Sequence, residues 1–175
     1  MQHSTTAVLL IALWASVWTP SAVARPDVAG LLDPIPEQPE APGFDLEGPD
    51  GETYRLADMR GKPVIVNFWA TWCPPCRAEM PALQRAWEQL EEQGVMLVAV
   101  NVGETKEEID AFAAQVEVDF PLPMDTEMTV SQSWPMRGLP TTFVVDPEGR
   151  LVYRAQGERE WDDPALLELV LELRR

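Results

Sequence analysis

The chain has 175 residues, 46% hydrophobic and 24% charged, which suits one domain of ordinary size plus a short tail. Lys and Arg number 13 against 29 Asp and Glu, a formal net charge of −16 that excludes nucleic acid and anionic lipid as partners, since both require a basic face. The only histidine is His3; with that end removed, histidine triads and histidine-ligated metal sites are excluded, and two cysteines cannot complete a four-ligand zinc site, so no metal and no cofactor are expected.

The apolar run Ala7–Trp18 is shorter than the roughly 20 residues a bilayer span needs. It ends at Thr19-Pro20, and Ala22-Val23-Ala24 offers small residues for cleavage before Arg25. Residues 1–24 therefore read as a signal peptide and the protein as exported, with no membrane insertion if the leader is cleaved. The alternative is an uncleaved N-terminal anchor. Residues 25–42 contain Pro26, Pro34, Pro36, Pro39 and Pro42 and are expected to form an extended, mobile linker, with the folded domain spanning 43–175.

Phe44-Asp45-Leu46 and Thr53-Tyr54-Arg55-Leu56 flank the turn signal Pro49-Asp50-Gly51, which predicts a hairpin. Val64–Trp69 is β-branched and aromatic, as in a buried strand. From Pro74 to Gln93 the period becomes helical, with Met80, Leu83, Trp87 and Leu90 on one side, Pro81 inside and Gly94 at the end. Val95–Val102 is a second buried strand. Thr105 with Glu108 makes a capping box before the apolar face Ile109, Phe112, Ala113 and Val116. Thr142–Val145 and Leu151–Ala155 flank Asp146-Pro147-Glu148-Gly149 as a terminal hairpin, and Pro164 opens the last helix. Strands alternating with helices predict an α/β fold with a central mixed sheet covered on both faces.

Cys73 and Cys76 stand C-x-x-C where the Val64–Trp69 strand hands over to a helix. The unpaired N–H groups and positive dipole end of a helix start both stabilise a thiolate, and cysteines so placed titrate at roughly 3.5–7.5 instead of about 8.5. Cys73 is expected to be exposed at the cap, with Cys76 tucked into the first turn and within reach of a disulfide. That arrangement suits exchange, with Cys73 attacking a substrate disulfide and Cys76 resolving the mixed disulfide. An inert staple is the bland alternative, but a bridge across so short a loop removes little unfolded-state entropy.

VIVNFWATWCPPCRAEMPAL resembles the active-site segment of the thioredoxin superfamily, and CPPCRAE together with GLPTTFVVDPEGRLVYRAQG resembles its periplasmic TlpA/ResA/CcmG-like branch. The resemblance covers most of Gly43–Arg175. It implies a thioredoxin-like fold with an N-terminal β-hairpin extension, and a periplasmic thiol-disulfide oxidoreductase acting on protein thiols and disulfides. It also implies a membrane-linked electron donor, with apocytochrome c among the clients of the branch.

Carried onto this chain, the resemblance makes Cys73 the nucleophile and Cys76 the resolving cysteine. Pro74 and Pro75 lie between them and carry no charge, which points to a reductant. Pro140, in Gly138-Leu139-Pro140-Thr141, matches a cis-proline facing the disulfide and would leave the Leu139 backbone free to pair with substrate. An ordinary trans proline opening a strand is the alternative. Glu79 matches an acid near the cysteines that could move protons, or is a first-turn glutamate complementing the helix dipole. Asn67 replaces the buried acid of thioredoxin and reads as a core amide. Trp69 reads as core and Trp72 as a partner contact. Two rival functions are weighed. A peroxidase of the same fold would need Thr or Ser where Ala70 stands. A copper chaperone would need wider cysteine spacing and a histidine.

Overall fold

The computed structural model describes residues 30–174. The leader expected over 1–24, and residues 25–29 of the expected linker, lie outside that range. Among the described residues no helix is long and apolar enough to cross a membrane.

The strands are β1 (Asp33–Pro34), β2 (Asp45–Glu47), β3 (Thr53–Arg55), β4 (Val64–Trp69), β5 (Met96–Val102), β6 (Met124–Asp125), β7 (Thr141–Val145) and β8 (Leu151–Gln156). The helices are α1 (Pro74–Leu90), α2 (Lys106–Ala113), α3 (Thr129–Ser133) and α4 (Pro164–Leu171). Six strands form one sheet in the order β1-β8-β7-β4-β5-β6, and β2 with β3 form the separate hairpin. β4, β5 and β6 run parallel, while β7 opposes β4 and β8 opposes β7. This is the thioredoxin-like mixed sheet with an N-terminal hairpin.

The period of two divides the sheet into two faces. Ile65 and Trp69 of β4, Leu97 and Ala99 of β5, and Val144 of β7 pack against α1, α2 and α4. Val64, Val66, Phe68, Val98, Val100 and Phe143 pack on the other side with Leu56, Met59 and Trp134. α1 runs through Pro81 and passes into a single 3-10 turn, which Gly94 closes at φ 79°, a left-handed conformation that glycine adopts without a Cβ clash. The capping box forms as expected: Thr105 caps α2, and Glu108 returns its carboxylate to the Thr105 N–H.

The linker expectation needs correction over residues 30–42. The segment is extended but docked along the sheet edge. β1 pairs with β8, Ile35 N–H donates to Val152 O at 2.8 Å, and Leu151 N–H donates to Pro39 O at 2.9 Å. Leu32 and Ala41 are buried. Prolines lack the N–H an inner strand needs but are tolerated on an edge, and here the proline-rich segment covers the otherwise open edge of β8. β1, β6 and α3 were not anticipated; each is too short to show a period.

Candidate active site

β4 ends at Trp69, and the next four residues turn the chain into α1. Cys73 is the N-cap of that helix, with extended φ −93° and ψ 105°. Pro74 and Pro75 have no N–H, so the first amide the helix offers is that of Cys76, which donates to Cys73 Sγ at 3.3 Å. The two sulfurs form a disulfide, S–S 2.07 Å with Cα atoms 5.3 Å apart.

The exposure expected for Cys73 needs correction: the residue is only 4% exposed in the disulfide form. Its sulfur turns inward over the first helical turn to reach Cys76, which is fully buried. The outer surface belongs instead to its neighbours, Trp72 at 67% exposed and Pro74. Pro75 is half-buried. Trp69 is core, as read.

The turn before Cys73 is clamped by a buried acid. Glu104 accepts from Thr71 N–H at 2.7 Å, from the Thr71 hydroxyl, and from Asn101 Nδ2 at 2.7 Å.

Glu79, one turn after Cys76, is buried. Its Oε1 accepts from Asn67 Nδ2 at 2.8 Å; its Oε2 accepts from Trp161 Nε1 at 3.1 Å and from Arg159 N–H at 3.2 Å. Burial pushes the carboxyl up to about 7, overriding the three donors, which favour the charged form. No cation side chain among the described residues touches it, so only these three neutral donors offset the loss of water. Glu79 edges a cavity of about 430 Å³ that Leu31, Ala78, Glu158, Arg159 and Asp163 also line.

The Leu139–Pro140 bond is cis. Thr141 pairs with Phe68, so Pro140 stands beside the end of β4 from which the chain runs to Cys73. Pro140 O accepts from Gly157 N–H at 2.9 Å, while the Leu139 N–H and C=O engage no other described residue.

A family model described as AhpC/TSA family matches residues 38–154. The chain belongs to the AhpC/TSA family. Within this thioredoxin-like family it is similar to the thiol-disulfide oxidoreductase ResA of Bacillus subtilis (strain 168), with 42% identity over 118 residues, 67% of this chain and 66% of the relative. ResA of Geobacillus thermodenitrificans is 41% identical over 111 residues, 63% of this chain and 64% of the relative. The chain thus spans slightly less than two thirds of the length of both. Among solved structures, a thiol:disulfide interchange protein DsbE from Chlorobium tepidum superposes with a TM-score of 0.73 at 30% identity, covering 82% of this chain and 99% of that one. The resemblance to the ResA/CcmG-like branch holds.

The structure brings Cys73, Cys76, Trp72, Pro74, Pro75 and the Leu139–Pro140 segment to one end of the sheet, and Glu79 lies beneath them. Three partners of that site were missed. Trp161 and Arg159 reach Glu79 from a loop some 80 positions downstream, and no local pattern signals that contact. Glu104 had a weak signal, being an acid set between a buried strand and a helix cap.

Proposed function

We propose that this member of the AhpC/TSA family is an exported thiol-disulfide oxidoreductase that reduces disulfides in other proteins. One observation carries the reading: a cysteine pair stands at the N-cap of α1, with the first available helix amide aimed at Cys73 Sγ. That amide and the helix dipole stabilise the Cys73 thiolate once the bond is reduced.

In the reduced protein, the Cys73 thiolate attacks one sulfur of a partner disulfide. A mixed disulfide forms, and the partner's other sulfur leaves as a thiolate. Cys76 then loses its proton and attacks Cys73 Sγ. The Cys73–Cys76 bond closes and the second partner thiolate departs, so two electrons have passed to the partner. Cys76 is buried and needs a nearby base. Glu79 lies one turn further along α1, on the same side, and its proton affinity near neutral pH fits that role. The cavity beside it supplies a route for exchange with water. The free Leu139 backbone and Pro140 receive the extended substrate segment, with Trp72, Pro74 and Pro75 forming the rim. A membrane-linked dithiol donor returns the two electrons. Residues 1–24 act as the export leader, which gives a periplasmic location, and cysteine pairs of apocytochrome c are the client class implied by the resemblance.

Trapping tests the assignment. The Cys76→Ser variant is expected to accumulate a mixed disulfide with its client, and Cys73→Ser is not. Equal trapping by both would show that the roles are misassigned.

A further inference from the structure

Arg159 lies in the loop 157–163 that joins β8 to α4, and that loop meets three parts of the molecule. Gly157 N–H donates to Pro140 O at 2.9 Å, which ties the loop to the cis-proline segment. Arg159 N–H and Trp161 Nε1 donate to Glu79 Oε2. The Arg159 guanidinium reaches the N-terminal segment, where its Nε donates to Leu31 O at 3.1 Å. Just beyond, that segment becomes β1 and pairs with β8.

The guanidinium is not spent on the local negative charge. Glu79, Glu158, Glu160 and Asp163 line the cavity beside it, yet Arg159 pairs with no carboxylate side chain among the described residues. Its donors go to carbonyls: Leu31 O, Glu158 O at 2.8 Å and, more loosely, Gly157 O at 3.4 Å. Arginine presents its donors in a rigid fork, so one side chain holds carbonyls of two distant segments in fixed relation. Leu31 and Arg159 form one wall of the cavity, and Leu32 is buried in the same core cluster as Trp161. Glu79 borders this space of about 430 Å³ and is still only 2% exposed. The other groups that face it are neutral or acidic: Asn67 from β4, Trp161 from the loop, and the three acids around the cavity. On α1, Arg85 is held by Asp162, and Arg77 lines a separate cleft with Glu108.

We propose that Arg159 is a positioning residue for the proton acceptor Glu79: its guanidinium clasps the N-terminal segment to the loop after β8 and so keeps water from the Glu79 carboxyl. The inference rests on the oxidoreductase reading above, with Glu79 as its base. Burial is the largest cause that raises the Glu79 value to about 7. Opening the wall rehydrates the carboxylate and lets water replace any donor lost, so the value falls. Loss of a nearby positive charge alone would raise it. A clasp and a bystander cation therefore predict opposite signs.

The test follows the Glu79 carboxyl by carbon-13 NMR in the oxidised full chain, with Glu79→Gln assigning the resonance. Arg159→Gln should lower its midpoint by about one pH unit, tenfold in the ionisation constant. Arg159→Lys keeps the charge and loses the fork, and should move the midpoint the same way by less. Lys62→Gln, an equal charge change at an exposed residue before β4, should leave it in place. An upward movement or none in either Arg159 variant, or an equal movement in Lys62→Gln, would overturn the clasp. Should Arg159→Gln not fold, the sign of the Arg159→Lys movement decides. Thiol exchange separates this inference from the reading beneath it. The inflection near pH 7 in its rate should fall together with the carboxyl midpoint. An inflection that stays while the carboxyl moves would remove both Glu79 and Arg159 from the reaction. Wild-type protein that exchanges with no dithiol would remove the oxidoreductase reading, whereas the carboxyl titration reports on the clasp by itself.

Discussion

The two faces of the sheet are built from alternate residues of the same strands, yet they do different work. Phe68 of β4 points to the face away from the disulfide, where its ring lies 5.1 Å from Trp134 and 6.3 Å from Phe143, in a layer of apolar and aromatic groups. Its neighbour Asn67 points to the other face and donates to Glu79 and Thr142. A shift of one residue along β4 separates packing from chemistry. The first face is packed mainly with apolar side chains. The second retains a buried carboxylate without a counter-ion, a costly feature that its place under the cysteines explains.

The sharpest way to break this contrast is to damage the dry face. Phe143→Ala should cost about 3–5 kcal/mol in urea unfolding, because a fully buried ring is lost from a layer that cannot collapse around the gap. The pH dependence of thiol exchange in the folded protein should be unchanged. A shifted pH profile would mean that the two faces are not separate.

On the other face, Glu79→Gln should do the reverse. The carboxyl holds its proton to about pH 7 in the folded chain, against an ordinary value of 4.5. Its folded-state pKa is raised, so its contribution to stability is complete below the unfolded value and is lost as pH rises through the folded one. Over that window the wild type should lose about 3 kcal/mol that the variant does not lose. The inflection near pH 7 in the exchange rate should disappear as well. An unchanged rate profile would remove Glu79 from proton transfer.

Trp161→Phe tests the same group more gently. It keeps most of the buried ring but deletes one donor to the charged carboxylate, so the inflection should move further upward, with a stability loss at alkaline pH of about 1.5 kcal/mol. A downward movement would contradict the role given to that hydrogen bond.

Much of this molecule was legible in its sequence. The central strands, the capping box, both hairpins and the cysteine pair at a helix start each carry a local signal: a run, a spacing or a turn dipeptide. The cis bond at Pro140 was legible only through resemblance, since an isolated Leu-Pro pair favours trans. What stayed hidden depends on contacts between distant segments. Trp161 reaches Glu79 across 82 positions, and only tertiary packing joins them. The proline-rich segment looked like a linker because composition speaks of helix and inner strand, and does not reveal that an open sheet edge awaits cover. Cys73 was expected at the surface because caps usually are, but the disulfide turns its sulfur inward and leaves Trp72 outside.

The central claim is that Cys73–Cys76 is a working redox couple and not a staple. Equilibrating the purified protein against dithiol buffers of graded potential tests it most directly. The account predicts one reversible two-electron transition near about −270 mV, as for a thioredoxin-like reductant. A midpoint near about −120 mV would contradict the direction of electron flow, and a bond still closed well below about −300 mV would mark it as structural.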